Sequence, residues 1–233
     1  MHDADPTAPE PAAAPSVAVA RPGPLQGLKV LELGQLIAGP FAGKTLADFG
    51  ADVIKVEPPA GEHGGGGDPL RQWRMLHHGT SVWWQVQSRN KRSIALDLRQ
   101  PEGQAVAKKL VAQADVLVEN FRPGVMARLG LADADLAARF PSLVRVSITG
   151  FGAGGPRGQD KAYDAVIQAL GGLACSQRDP ATGAPVILAS TVSDMLFSDF
   201  IFRVIKEVFS KQLDIDKEKL TRQSEFFRQA VYK

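Results

Sequence analysis

Short apolar runs alternate with helical stretches from Leu28 onward, and this alternation restricts the fold more than any other feature of the chain. The runs that predict buried strands are Lys29–Leu33, Asp52–Val56, Ser93–Leu96, Val116–Val118 and Leu143–Ile148. The segments that predict helices are Phe41–Phe49, Glu102–Ala112 and Asp135–Phe140, with Pro101 and Asp133 near the helix starts. The pattern therefore predicts an α/β fold with an open, mainly parallel sheet covered by helices.

The two ends of the chain differ in composition from the part between them. Residues 1–24 are rich in Ala and Pro, which predicts a disordered leader. No Gly or Pro follows Pro185, and apolar residues at helical spacing predict a helical tail over residues 201–233. The predicted folded domain is therefore 25–200. Within it, the stretch Pro58–Ser88 interrupts the alternation and contains all three tryptophans, and loops of that length are usually functional or mobile.

Composition limits the classes of partner that we expect. A net charge of +2 over 233 residues lacks the concentrated basic character of nucleic-acid binding proteins. No run approaches the ~20 apolar residues that span a membrane. Cys175 is the single cysteine, so no intrachain disulfide forms and a cytoplasmic location is favoured. The histidines have no metal-ligand spacing, so we expect no metal site.

The first predicted strand, turn and helix resemble the opening of a dinucleotide-binding unit. However, Gly34, Gly39 and Gly43 do not form G-x-G-x-x-G, and the chain contains no phosphate-binding loop motif of the type G-x-x-x-x-G-K-[ST]. A nicotinamide or P-loop site is therefore not favoured. The Gly39–Pro40 turn stays a candidate phosphate contact, because helix N-termini bind phosphate without that motif.

Basic and amide side chains flank two of the predicted strands. They lie in Arg89–Ser93 and in Asn120–Gly124, with Arg128 following. In open parallel sheets, ligands bind outside the carboxyl ends of the strands, so these groups are candidates for binding an anion. Two other interpretations are solvated surface charges and, together with Trp83–Trp84, a stacking surface for single-stranded nucleic acid. The nearly neutral chain does not favour the second.

Asp194 is a candidate nucleophile from its place in the chain. It follows the apolar run Val186–Leu188 and lies where a strand would give way to a helix. The chain has no G-x-S-x-G elbow of a serine hydrolase, which leaves carboxylates as candidate nucleophiles. On its own, an aspartate in this position is better explained as a helix N-cap than as a nucleophile.

Six segments taken together resemble the family III CoA transferases, the group of formyl-CoA, carnitine and dicarboxylate transferases. In chain order they are GLKVLELGQLIAGPFAGKTLADFGADVIKVEPP, RNKRSIALDLRQPEG, ADVLVENFRPGVMARLGL, SITGFGAGGP, KAYDAVIQALGGL and STVSDM. Their order and spacing agree with the family over about Leu25 to Phe197. The resemblance implies a Rossmann-like large domain over 25–200, incomplete here, while 201–233 matches nothing in the family.

The resemblance implies transfer of CoA between an acyl-CoA thioester and a carboxylic acid. Asp194 matches the family's catalytic aspartate, which forms an aspartyl-CoA intermediate. The positions that match stretches lining the coenzyme are Ile37, Ala38, Leu96, Arg99, Asn120, Phe121, Arg122, Arg128, Lys161, Tyr163 and Asp164. Coenzyme A thioesters would thus be substrates, with no permanently bound cofactor.

At two positions the chain departs from branches of this family, and each departure argues against one class of reaction. Formyl-CoA transferases have Gln where this chain has Ile37, which argues against oxalate and formate as substrates. The racemase branch has His where this chain has Tyr163, which argues against racemisation. Members of the family form interlocked homodimers. Two alternatives to an active transferase stay open: an inactive CoA-binding fragment, and a non-enzymatic product held by partners through its C-terminal helices.

Overall fold

A computed structural model of the chain describes residues 23–61, 66–152, 155–188 and 194. Its strands are β1 (Lys29–Glu32), β2 (Asp52–Glu57), β3 (Leu76–His77), β4 (Thr80–Ser81), β5 (Lys91–Ala95), β6 (Val116–Glu119) and β7 (Val144–Ser147). Its helices are α1 (Ala38–Asp48), α2 (Val82–Gln87), α3 (Pro101–Val111), α4 (Val125–Arg128), α5 (Asp133–Arg139), α6 (Asp164–Leu170) and α7 (Leu173–Ser176). A short 3-10 helix covers Pro69–Gln72.

Five of the strands form one parallel sheet in the order β5-β2-β1-β6-β7. The central strand β1 pairs on both sides, with Val30 opposite Val53 and Val116. The predicted parallel α/β fold is confirmed, and all five predicted strands are present. The largest shift is in β5, which begins at Lys91 instead of Ser93.

The two faces of the sheet carry two separate cores, because alternate residues of a strand point to opposite faces. On one face, Val30 packs with Ala42 and Leu46 of α1. On the other face, Leu31 packs with Val111 of α3 and Leu136 of α5. Burying a side chain of this size contributes about 1.5–3 kcal/mol, so both cores hold the helices on the sheet.

Three glycines allow α1 to approach β1 closely. A Cβ atom on Gly39 would lie 2.7 Å from the Cα of Gly34, and a Cβ on Gly43 would overlap the carboxylate of Glu32. These glycines do not form a dinucleotide motif. They serve instead to bring the start of α1 against the carboxyl end of β1.

The stretch Pro58–Ser88 is more structured than the sequence indicated. Its described part, 58–61 and 66–88, contains the 3-10 helix, the antiparallel pair β3–β4 and helix α2. Leu70 and Trp84 from this stretch pack on Ile37 in a third small core. The sequence missed these elements because each is too short to show a period.

Two predictions concern parts of the chain that lie outside the described residues. They are the disordered leader, apart from residues 23 and 24, and the helical tail over 201–233. Among the helices that the structure does describe, none has both the length and the apolar character needed to cross a membrane.

Candidate active site

A cavity of about 310 Å³ opens where β1, β6 and β7 end. The strands are parallel, so the loops after them meet at one edge of the sheet. The lining consists of Gln35–Ala38 after β1, Asn120–Pro123 after β6, Ile148–Gly150 after β7, Asp160–Tyr163 before α6, Ile167 and Asp194. This is the edge at which the sequence predicted a ligand.

Asn120 fixes the turn that follows β1. Its Oδ1 accepts a hydrogen bond from the backbone N–H of Gln35 at 2.8 Å, and its Nδ2 donates to the carbonyl of Gln35 at 2.9 Å. A Cβ atom on Gly39 would lie 3.1 Å from Asn120 Oδ1, so this glycine also makes room for the amide. Asn120, predicted to line the coenzyme, thus joins two walls of the cavity.

Asp194 lines the cavity with a partly buried carboxyl group. Burial raises the pKa of this group to about 6, and the negative charge of Asp164 adds to the rise. At neutral pH the group is mostly ionised while being less hydrated than a surface carboxylate. That combination is typical of a carboxylate that acts as a nucleophile.

Two buried side chains of α6 accept hydrogen bonds from the backbone of Leu188 and Asp194. Asp164 Oδ1 accepts a hydrogen bond from the backbone N–H of Asp194 at 3.1 Å. Gln168 Oε1 accepts from the N–H of Leu188 at 2.9 Å, and its Nε2 donates to Asp164 Oδ2. Sequence reasoning missed Gln168. The available signal was its spacing from Asp164, which places both on one face of a helix.

The predicted strand before Asp194 is wrong. Val186–Leu188 has no regular structure, and Val186 and Ile187 are exposed. The N–H of Val186 donates to the carbonyls of Ala174 and Gln177, at 3.1 and 2.9 Å, and not to a strand. The N–H of Leu188 donates to Gln168 of α6, so the partners of this run come from the end of α7 and from α6. Helix α6, and not a strand, brings Asp194 to the edge of the sheet.

The structure brings together eight of the twelve predicted site residues around this cavity. They are Ile37, Ala38, Asn120, Phe121, Arg122, Lys161, Tyr163 and Asp194. Asp164 does not line the cavity and lies behind Asp194 as its hydrogen-bond acceptor. The cations on the lining are Arg122 and Lys161, both exposed to solvent.

The other three predicted residues lie away from the cavity lining. Leu96 packs against the core on the α3 face of the sheet. Arg99 is exposed and pairs with Asp97 at 2.9 Å. Arg128 is exposed at the end of α4. Leu96 and Arg99 follow β5, which is separated from β1 by β2 in the sheet order.

A second cavity, of about 500 Å³, adjoins the first and shares Phe121–Pro123 and Thr149 with it. Its apolar lining includes Leu117 and Leu136. Glu119, at the end of β6, is 7% exposed in this cavity, and its Oε2 accepts a hydrogen bond from the N–H of Phe121 at 2.7 Å. Burial raises the pKa of Glu119. The sequence analysis did not single out this carboxyl group.

Comparison with known proteins identifies the family. The sequence profile of CoA-transferase family III matches residues 25–200. This chain belongs to CoA-transferase family III. The match confirms the family to which the six sequence segments pointed.

Among the family's members, the chain is similar to succinyl-CoA–D-citramalate CoA-transferase of Chloroflexus aurantiacus, with 44% identity over 180 residues, which are 77% of this chain and 43% of that protein. It is also similar to human succinyl-CoA:glutarate CoA-transferase, with 41% identity over 173 residues, which are 74% of this chain and 38% of that protein. The chain therefore spans less than half the length of these relatives.

The fold is that of a solved CAIB/BAIF family protein from Brucella suis, with a TM-score of 0.73 and 37% identity over 82% of this chain and 50% of that one. A hypothetical protein from Mycobacterium tuberculosis, Rv3272, matches with a TM-score of 0.71 and 28% identity over 90% of this chain and 59% of that one.

Proposed function

We propose that this chain takes part in CoA transfer between an acyl-CoA thioester and a carboxylic acid, with Asp194 as the covalent acceptor. The observation that carries the proposal is the place of Asp194 on a cavity formed where three parallel strands end, whose lining also includes Arg122 and Lys161. Membership of CoA-transferase family III supports the same reaction class.

The reaction proceeds by exchange between carboxylates and a thiolate. The carboxylate of Asp194 attacks the thioester carbonyl, the C–S bond breaks, and a mixed anhydride and CoA thiolate result. The thiolate then attacks the carbonyl carbon of Asp194 and displaces the donor acid, leaving an aspartyl-CoA thioester. The acceptor carboxylate repeats the two steps in reverse order and regenerates Asp194. These steps need no oxidant, reductant or permanently bound cofactor.

The size of the cavity indicates which part of the substrate it holds. A volume of about 310 Å³ is at the small end for ligand sites, and it suits the acyl group and the thioester. The nucleotide end of CoA would extend beyond it, and Arg128, exposed at the end of α4 after the loop that follows β6, is the candidate for contacting its phosphates.

The two cations on the cavity lining, Arg122 and Lys161, favour dicarboxylic acids as substrates. One carboxylate of such a substrate reacts, and Arg122 or Lys161 would neutralise the other. The relatives from Chloroflexus aurantiacus and human are named for succinyl-CoA with citramalate or glutarate, which are all dicarboxylic. We therefore propose succinyl-CoA as the first donor to test.

The test is to trap the covalent intermediate. The chain is incubated with succinyl-CoA and quenched with hydroxylamine, and peptide mass spectrometry locates the hydroxamate. We expect the hydroxamate on Asp194 and none in Asp194→Asn. Asp160→Asn is the matched control, because Asp160 is a second acidic residue on the same cavity and should leave the labelling unchanged.

Three outcomes would contradict the proposal. An adduct on another residue, or equal labelling of Asp194→Asn, would show that Asp194 is not the acceptor. CoA binding by the native chain without any adduct would favour the binding-only alternative.

A further inference from the structure

Asp68 is a buried carboxylate in the stretch Pro58–Ser88, to which the transfer reaction assigns no role. It is 1% exposed. Its Oδ1 accepts hydrogen bonds from the backbone N–H of Leu36 at 3.0 Å and of Leu70 at 2.8 Å. Its Oδ2 lies 2.8 Å from the ammonium group of Lys55. Asp68 thus contacts the cavity wall from behind.

The peptide that Asp68 holds has an unusual conformation. Leu36 has a φ of 61°, in the left-handed region that side chains other than glycine rarely adopt. Such a residue keeps this conformation only where its surroundings impose it, and it often lies at a functional site. Leu36 lines the first cavity between Gln35 and Ile37. Asn120 holds the peptide of Gln35 from the other side, so two side chains fix this turn.

Asp68 is itself held in place by charged groups of the sheet. Lys55, 1% exposed in β2, also donates to Glu32 at 2.9 Å and to the carbonyl of Gly34 at 2.6 Å. Glu57 accepts a hydrogen bond from the backbone N–H of Asp68 at 2.8 Å and forms an ion pair with Arg71. Breaking a buried network of this kind is costly, so the position of Asp68 is rigid.

We propose that Asp68 is a positioning residue that fixes Gln35–Ala38, a wall of the cavity that Asp194 also lines. The catalytic part of this inference depends on the proposed transfer reaction. The physical reason is that attack on a thioester requires the two reacting atoms to be held in a narrow geometry, and a wall displaced by about 1 Å can slow such a step on the order of a hundredfold.

A pair of double variants separates this role from the contribution of the ion pair to stability. Lys55→Met with Asp68→Asn removes both charges and keeps an oxygen that can accept from Leu36. Lys55→Met with Asp68→Leu removes the same charges and offers no acceptor in nearly the same volume. Asp48→Asn is the control, because it loses the ion pair with Arg89 at the other end of α1.

Two readouts are compared after the melting temperature of each variant has been measured. At saturating succinyl-CoA, we expect Asp194 to be labelled at least about tenfold more slowly in the Leu variant than in the Asn variant. Hydrogen exchange at the amide of Leu36 should be faster in the Leu variant by a similar factor. Exchange in Val116–Val118 should be the same in both, and Asp48→Asn should behave as the native chain.

Equal labelling in the two double variants would overturn the proposal, and so would equal exchange at Leu36. A labelling rate that follows the melting temperature alone would also overturn it, since that result would mean a merely structural role. If the native chain is not labelled at Asp194, the proposed function fails, and the exchange measurement still decides whether Asp68 fixes the wall.

Discussion

Asp194 and Glu119 are carboxyl groups in adjoining cavities, and burial raises the pKa of both. They differ in what their oxygens contact. The side chain of Glu119 accepts hydrogen bonds from the N–H of Phe121 and from Ser147. Asp194 is held through its backbone N–H, on Asp164, and the residue lines the first cavity. A raised pKa alone therefore does not identify a nucleophile, because the pKa of a buried structural carboxylate is raised for the same reason.

The linings of the two cavities also differ in charge and polarity. Lys161 faces the first cavity together with Asp194. Arg122 lines both cavities. In the second cavity, the other cation, Arg145, is paired with Asp133, and Leu117 and Leu136 are apolar. A cation near the carboxylate favours binding of an anionic substrate, whereas an apolar wall does not. Lys161, which lines only the first cavity, thus supports that cavity as the place of the proposed reaction.

The largest expected effect is a difference in the rate of adduct formation between variants of the two carboxyl groups. Asp194→Asn should lower the rate of adduct formation on the order of a thousandfold or more, because it removes the attacking group. Glu119→Gln should change that rate by less than about threefold, since the amide oxygen can still accept from Phe121. Single-turnover labelling with succinyl-CoA measures both. A large loss in Glu119→Gln would show that the second cavity contributes to the reaction.

The second prediction concerns stability. Glu119→Leu leaves the N–H of Phe121 without its acceptor, which should lower the free energy of unfolding by about 1–3 kcal/mol. Urea denaturation followed by circular dichroism measures the change. Glu119→Gln is the matched control and should lose less. Equal stability of the Leu variant and the native chain would mean that the hydrogen bond to Phe121 contributes nothing.

The smallest expected effect is that of pH on the rate at which Asp194 is labelled. Attack needs the ionised form of Asp194, and with a pKa of about 6 the labelling rate should fall roughly tenfold between pH 7 and pH 5. Asp164→Asn removes the neighbouring negative charge and should move the midpoint to lower pH. A profile that is flat between pH 5 and pH 7 would contradict the raised pKa.

The raised pKa of Asp194 also makes the stability of the fold depend on pH. The folded state favours the protonated form of Asp194, so this group stabilises the fold fully below the ordinary value of 3.8. That contribution is lost as the pH rises through about 6. Asp194→Asn should therefore gain stability relative to the native chain as the pH rises from 4 to 7, and thermal melting at several pH values would show it.

Periodicity and local motifs determined the architecture of this protein. The strands around Val30 and Val116 were predictable because buried parallel strands are short, continuous apolar runs. The starts of α3 and α5 were predictable from Pro101 and Asp133, which were expected near helix starts. The co-linear segments also determined the family and pointed to Asp194 as the candidate acceptor.

Only the tertiary structure decided how the cavity wall is held. The bond from Gln35 to Asn120 joins residues 85 positions apart, and that from Leu36 to Asp68 joins residues 32 apart. Sequence patterns report local burial, whereas these contacts depend on which strands become neighbours in the sheet. The apolar run Val186–Leu188 is an example of what sequence patterns miss. Its residues suit a strand, but its hydrogen-bond partners are backbone groups at the end of α7 and the side chain of Gln168. Local propensity cannot identify partners that long-range packing alone supplies.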